Sequence, residues 1–460
     1  MLSRNRDMCS GPMLSNIILY TIPIILTSVM QLLFNTADLV IVGRFCGSNS
    51  VAAVGATGSP TTLIFSLFLG LSAGASACVA QSIGAGDYDK TSRAVHTIIP
   101  TAVLGGIGLA IIGNIVCEPL LRLMGTPENV LPLSALYMRI YFAAMPFNML
   151  YNFGAAILRA AGDTKRPLIY VSIAGVVNVI LNLVFVIFFK MDVAGVALAT
   201  GISLAVSSIL VLRALMRRPD ALHFSFKEMC FDKGTLKKML GIGIPSGVQS
   251  SLFSISNILI QSSVNSFGEI FLAGNSAASN IEGYVYMTMA AFYQSSLNFS
   301  AQNYGARKFD RVKKALLICM LCTGLSGLVL GNLSYIFGKQ LLSIYITDSA
   351  QAITYGLMRM SIIGVTYFLC GIMDTITGAI RGMGSSFSTM IITVFGTCVL
   401  RIAWIYTVFA IPSLHTPQCL FLSYPISWTV TIIAELITFF IVLKKKKKEA
   451  EIERLEAVQA

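Results

Sequence analysis

Charge is scarce in this chain. Asp, Glu, Lys and Arg make up 12% of its 460 residues, roughly half the share typical of soluble globular domains. With 55% hydrophobic residues and a mean hydropathy of +0.76, this excludes an ordinary soluble globule and indicates a polytopic membrane protein. Histidine is scarcer still: His96, His223 and His415 lie far apart, and there is no Walker phosphate loop, no HExxH and no Ser-His-Asp set in a suitable context. Nucleotide-driven pumping and hydrolytic chemistry lack their machinery, so neither enzyme activity nor a cofactor is expected. The ten cysteines are scattered; only Cys319 and Cys322 are close, and with no His beside them small apolar packing is the expected role. Segments of alternating polarity are missing too. Ala102–Gly113 is apolar throughout and Leu168–Phe189 nearly so, which excludes a transmembrane β-barrel and leaves helices.

What is present is a series of apolar stretches reaching the ~20 residues that an α-helix needs to cross ~30 Å of hydrocarbon. Twelve transmembrane helices are expected, at 15–42, 51–80, 95–117, 130–157, 167–190, 193–215, 238–265, 271–300, 312–337, 352–379, 387–411 and 420–443. The net charge of +12 follows from the loops. With the N-terminus in the cytoplasm, roughly 26 of the 33 Lys and Arg fall on one side and about 4 on the other, as the positive-inside rule requires. The expected setting is a bacterial cytoplasmic (plasma) membrane, with both termini cytoplasmic. The 213–238 connection, which carries Arg217 and Arg218, and the run Lys444–Lys448 read as anchors near anionic membrane lipids. No basic helix face or aromatic platform accompanies them, so nucleic acid is not an expected partner. The polar start, 1–13, precedes an apolar stretch far longer than that of a signal peptide, and no cleavage is expected.

The chain is also duplicated. Ala80-Gln-Ser-Ile-Gly-Ala-Gly-Asp-Tyr-Asp-Lys90 returns as Ala301-Gln-Asn-Tyr-Gly-Ala-Arg-Lys-Phe-Asp-Arg311. Pro23 with Pro245, and Arg159-Ala-Ala-Gly162 with Arg381-Gly-Met-Gly384, keep the same offset to within one residue. Internal duplication in an apolar chain is common among secondary transporters, whose substrate site lies where the halves meet. The expected organisation is an N-terminal six-helix lobe at 1–216, a cytoplasmic linker at 217–237, a C-terminal six-helix lobe at 238–443 and a basic cytoplasmic tail at 444–460. Pro23, Pro146 and Pro245 each remove a backbone hydrogen bond inside an apolar helix; the repeated pair, Pro23 and Pro245, reads as hinges and Pro146 as a packing kink.

Few ionisable groups fall in helix cores, where even lenient scales assign an Asp ~2.5–3.5 kcal/mol. They are Asp38, Arg139, Glu282, Arg359, Asp374, Arg401 and Glu435. Thr27, Gln31, Asn35 and Asp38 share one helical face, which should look into water or a cavity. A partly desolvated carboxylate there can take up and release a proton, and in its charged form it attracts a cation. Asn178 and Asn182 lie one turn apart in the fifth segment; their amides can orient Asp38, help ligate Na+, or join two helices. In the seventh segment Ser254, Asn257, Gln261 and Asn265 share a face, with Asn257 the repeat partner of Asn35 and Ile260 standing at the place of Asp38. Glu282, with Ser279 and Tyr286 on its face, and Asp374, with Tyr367 and Arg381 on its face, read as coupling-ion ligands or as partners of Arg359 or Arg401. Glu435 reads as a packing or interface residue.

The spacing Asn35-Thr-Ala-Asp38 followed by Val42-Gly43, taken with Leu158-Arg-Ala-Ala-Gly-Asp163, Ala301-Gln-Asn-Tyr-Gly-Ala306 and Arg381-Gly-Met-Gly384, resembles the multidrug and toxic compound extrusion (MATE) family over nearly the whole chain. That resemblance implies a twelve-helix, two-lobed exporter exchanging H+ or Na+ for small amphipathic, often cationic organic compounds. The chain is most similar to the DinF-like branch, whose first-helix Asp matches Asp38 and whose fifth-helix Asn matches Asn178; Asn182 stands where some members carry a second Asp. The Na+-coupled branch has a seventh-helix Glu that is lacking here and a tenth-helix Asp that Asp374 matches, so Glu282 would have to supply the companion charge. The expected substrate and ion site is therefore Asp38, Asn35, Gln31, Asn178, Asn182, Asn257, Gln261, Glu282 and Asp374, with Asp38, Asn178 and Asn182 as the Na+ set, in a protein that works as a monomer. The alternative is a lipid or lipid-linked oligosaccharide flippase of the same superfamily, which would present Arg139, Arg359 and Arg401 in its cavity. A channel suits two lobes around one site less well, and an intramembrane enzyme lacks a nucleophile and base.

Overall fold

The structure, a computed structural model, describes residues 7–347 and 349–459, except for the side chains of 48, 59–60, 62–65 and 457–459. The first six residues of the expected N-terminal lobe and the last residue of the expected tail lie outside the described residues. Among the described residues there is no strand. Inside hydrocarbon each backbone N–H and C=O must be satisfied within its own segment, and a helix does this.

In the first half the helices are α1 (Met13–Phe45), α2 (Ser48–Gly84), α3 (Tyr88–Leu123), α4 (Leu131–Ala143), α5 (Met145–Ala160), α6 (Lys165–Leu183) and α7 (Asp192–Met216). In the second half they are α8 (Lys233–Asn265), α9 (Glu269–Gly305), α10 (Phe309–Ile336), the short α11 (Gly338–Tyr345), α12 (Ala350–Arg359), α13 (Phe368–Gly382), α14 (Ser386–Thr393), α15 (Leu400–Tyr406) and α16 (Pro417–Gln459). Among the described residues eight spans are long and apolar enough to cross a membrane alone, and a bent pair, Ala350–Gly364 with Phe368–Gly382, makes a ninth. The other three expected crossings are helical as α4 with α5, α8 and α9.

Four expected segments differ in detail. The 130–157 stretch breaks at Ala144, because Pro146 is tolerated in the first turn of a new helix and not in the interior of an old one. The 352–379 stretch bends by 41° after a π-turn at Met360–Gly364. The 387–411 stretch contains a π-turn at Val394–Val399 and its helix ends at Tyr406. The last helix continues beyond 443 through the Lys-rich run to Gln459. Good helix formers fill that extension, and Arg307 holds it by donating to the Ala450 carbonyl at 3.0 Å and to Glu453 at 2.7 Å.

The two copies of each repeat end their helices alike. After α2, the N–H groups of Ala85, Gly86 and Asp87 donate to the carbonyls of Gln81, Ile83 and Ser82; after α9, those of Ala306, Arg307 and Lys308 donate to Gln302, Tyr304 and Asn303. The Arg159 and Arg381 motifs close α5 and α13 through Gly162 and Gly384, at φ +84° and +88°, which glycine adopts without a side-chain clash.

The chain forms two compact units: Ile22–Gly243, and Asp7–Thr21 with Ile244–Ala460. Helices α1 and α8 each change unit inside the helix, at positions 222 residues apart and one residue before Pro23 and Pro245. Proline donates no hydrogen bond, so both helices are weakest in their backbone ladder at that step. Within its unit the start of α1 is tied down: Tyr20 meets Phe299 edge-on at 5.5 Å, Thr21 bonds Ser295 at 2.8 Å, and Asn303 donates to the Met8 carbonyl at 3.0 Å. In the first unit α1 and α6 come together where Gly175 faces the ring of Phe34, and a methyl group on Gly175 would overlap that ring. Phe34 is one turn before Asp38, and Gly175 is one turn before Asn178. Gly175→Ala is expected to lower stability by about 1–3 kcal/mol through overpacking, read as a lower melting temperature in detergent. Gly283→Ala, where a Cβ has open space, serves as the tolerated control.

Candidate ion and substrate site

In the first unit the helix contact at Gly175 brings Asp38 to the paired asparagines. Asn182, fully buried, donates from Nδ2 to Asp38 Oδ1 at 2.5 Å and to Asn178 Oδ1 at 3.2 Å. Asn178 donates in turn to Thr200 Oγ1 at 3.3 Å, and the Thr200 hydroxyl donates to the Val196 carbonyl at 3.0 Å. Asp38 is half-buried and, among the described residues, forms no ion pair. Asn182 Oδ1 is buried and has no partner among the described residues. Such an amide presents a donor to an ionised carboxylate and keeps an acceptor in reserve.

The rest of the expected stripe forms no hydrogen bond with this cluster among the described residues. Thr27 is buried and returns its hydroxyl to the Pro23 carbonyl at 2.7 Å, while Gln31 and Asn35 are exposed. In the second unit Asn257 is exposed, and Gln261 donates to Asn265 at 3.1 Å. Ile260, at the place of Asp38, is buried in an apolar cluster with Phe271, Phe421 and Trp428.

The second unit's charges sort by what compensates them. Arg359 grips Glu282 from Nη2 at 2.7 Å and from Nε at 3.2 Å, and its Nη1 donates to Asn275 Oδ1 at 2.8 Å. The rings of Phe421 and Tyr424 flank the guanidinium at 5.7 and 5.9 Å. Asp374 is half-buried beside the hydroxyl of Tyr286. Arg381 is occupied elsewhere, donating to Tyr293 at 2.8 Å and Gln249 at 2.7 Å.

Glu435 is fully buried, not at an interface, and its Oε1 accepts from Thr377 at 2.6 Å and Thr393 at 3.0 Å. Its Oε2 has no partner among the described residues. Thr377 and Asp374 lie about one turn apart on α13, so the threonine that holds Glu435 of α16 shares a helix face with Asp374. Sequence spacing could not reveal this, because Glu435 and its two threonine partners come from three helices. Arg401 is also fully buried, donating from Nε to Ser427 at 2.8 Å with Tyr424 4.2 Å from its carbon. Among the described residues it forms no ion pair, and its Nη2 has no acceptor. Arg139 lies instead at an exposed position and pairs with Glu118 at 3.0 Å.

Three of these groups abut π-turns. Asn182 lies just before Val184–Phe188, Arg359 just before Met360–Gly364, and Arg401 just after Val394–Val399. An inserted residue rotates the side chains that follow it onto another face, and such turns are frequent at functional sites.

A long helical chain of two compact units, with uncompensated carboxyl groups inside membrane-crossing helices, has the build of a membrane transporter, not an enzyme. The chain belongs to the MatE family, the multidrug and toxic compound extrusion transporters: the family model matches twice, at residues 23–184 and 245–407. The probable multidrug resistance protein YoeA of Bacillus subtilis is 32% identical over 385 residues, covering 82% of this chain and 83% of the relative. A FAD transporter of Shewanella oneidensis is 27% identical over 380 residues, covering 80% and 82%. Among solved structures, an outward-facing multidrug resistance MATE family transporter of the MOP superfamily superposes with a TM-score of 0.89 at 22% identity, over 97% of this chain and 100% of that one. The twelve-helix fold is thereby established.

The Glu282–Arg359 pair has a measurable consequence. Glu282→Gln leaves a buried guanidinium uncompensated and is expected to cost about 3–5 kcal/mol, whereas the double change Glu282→Met with Arg359→Met should recover most of that loss. Melting temperatures in detergent check both.

Proposed function

We propose that the chain is a secondary active exporter that exchanges H+ or Na+ for small amphipathic, often cationic, organic compounds by alternating access. The proposal includes a monomer in a bacterial cytoplasmic membrane with both termini in the cytoplasm. The observation that carries it is Asp38, half-buried, held by Asn182 and without an ion-pair partner among the described residues. A carboxylate in that setting has two ways to be neutralised: it binds a proton, or it binds a positive charge from outside. Competition between the two is exchange. The multidrug description of YoeA and of the MATE structure supports the substrate class.

Of the two coupling ions, the geometry favours the proton. The amide of Asn182 turns its NH2 group toward Asp38, and the Asn178 carbonyl oxygen is already taken by that same NH2 group. Ligation of Na+ by Asp38, Asn178 and Asn182 would need those amide oxygens turned toward the ion. Asp374, beside Tyr286, and Glu435, between two threonines, are the second unit's candidates for an additional coupled proton. A flippase for polyanionic headgroups is not favoured, since Arg139 and Arg359 are each committed to a carboxylate.

One observation supports a second reading of the substrate. Among the described residues Arg401 is a buried cation without a carboxylate partner, which suits a compound carrying an anionic group, and one relative is described as a transporter of FAD, itself an anionic compound. Proteoliposomes with pH and Na+ gradients imposed separately test both readings. An amphipathic cation is expected to follow the pH gradient, and Asp38→Asn to reduce that flux to the level of empty vesicles. Exchange of one H+ for one monovalent cation moves no net charge, so a membrane potential, worth ~2.3 kcal/mol per charge per 100 mV, should leave the rate unchanged. Normal transport by Asp38→Asn would sink the proposal. Transport of an aromatic carboxylate that depends on Arg401 would favour the second reading.

A further inference from the structure

We propose that the first unit carries a binding site for the headgroup of an anionic phospholipid, formed by Arg166, Arg217 and Arg218 where α6 and α7 meet the connection to α8. A cavity of about 380 Å³ lies there, lined by Arg166, Tyr170, Ala214, Arg217, Arg218 and Asp220 among others.

The arginines differ in how far they are already engaged. Arg166 pairs with Asp163 at 3.3 Å. Arg218 is 7% exposed and grips Asp220 with Nε at 2.9 Å and Nη2 at 2.6 Å, while its Nη1 is buried without an acceptor among the described residues. Arg217 is exposed; its backbone N–H donates to the Arg213 carbonyl at 3.2 Å, and its guanidinium forms no hydrogen bond or ion pair with a described residue. Burial acts to raise the Asp220 pKa, but the hydrogen bonds and charge of Arg218, with the Leu222 N–H, outweigh it and hold the carboxyl below its ordinary value. Asp220 therefore stays ionised at neutral pH and offsets only one guanidinium. The cavity retains an unmatched positive charge and an orphaned buried donor, which together match a phosphate group, an acceptor-only anion that arginine recognises in the plane of its guanidinium.

A lipid is the source the surroundings favour over free phosphate. Tyr170 lies in the first turns of α6 and Ala214 in the last turn of α7, so the cavity sits where two membrane-crossing helices end, at headgroup level. The same stretches expose Ile169, Ile173, Ile209 and Met216, at 40–58% of their surface. These offer acyl chains an apolar surface beside the cavity. Basic pockets at the ends of transmembrane helices are a known way of holding anionic headgroups.

The test uses the full chain purified in a neutral detergent and titrated with phosphatidylglycerol, phosphatidylcholine or inorganic phosphate, with retained lipid counted by native mass spectrometry and stability followed by melting temperature. Phosphatidylglycerol is expected to be retained and to raise the melting temperature. Arg217→Gln should bind it about tenfold more weakly, the loss of roughly one charge-assisted contact. Because Lys444–Lys448 also attract anionic lipid, a variant with those five lysines changed to Gln is expected to keep the site. Equal retention of phosphatidylcholine, or unchanged affinity in both Arg217→Gln and Arg217→Glu, would overturn the proposal. Saturable binding of inorganic phosphate with the same dependence on Arg217 would overturn the lipid assignment and leave a free-anion site.

Discussion

A charge held inside hydrocarbon must be compensated by something, and the hydrogen bond from Asn182 to Asp38 compensates that carboxylate only in part. An amide dipole stabilises a carboxylate but does not neutralise it. At Glu282 the fold supplies a full counter-charge from Arg359. On the proposed mechanism, the contrast separates structural charges from working ones. A fully paired group has no reason to change its protonation during a transport cycle, whereas a group held only by amides or hydroxyls is free to take up and release a proton. Asp38 belongs to the second kind, and so do Asp374 and Glu435.

The duplicated chain distributes these roles unevenly. Both copies keep the same helix ends, the same glycine turns and the same proline step where a helix passes from one compact unit to the other. The carboxyl groups do not follow the repeat. Ile260 takes the position of Asp38 and is absorbed into an apolar cluster, while the second unit's carboxyls arise on α9, α13 and α16. Duplication preserved the frame, and the chemistry diverged within it.

Much of the frame was legible because it rests on simple periodicities. Apolar length marked the crossings, and the four-residue spacing of Asn178 and Asn182 placed both amides on one face, where Asn182 bonds Asp38 and Asn178 in turn. The remainder depended on geometry that spacing does not carry. The stripe divides by exposure: Gln31 and Asn35 are exposed, as a face turned to water or a cavity would be, while Thr27 is buried and turns its hydroxyl back to Pro23. The cage around Arg401 and the threonines around Glu435 assemble from separate helices, one of them re-phased by a π-turn. Glu282 left two partners open on sequence grounds, and only the packing of α9 against α12 selects Arg359 over Arg401.

The central claim is that Asp38 changes protonation when substrate binds. Proton release from purified protein in a lightly buffered solution, measured on addition of an amphipathic cation near neutral pH, tests it most directly. The account predicts release from the wild-type chain and none from Asp38→Asn. The same release from Asp38→Asn would contradict it and move the coupling to Asp374 or Glu435.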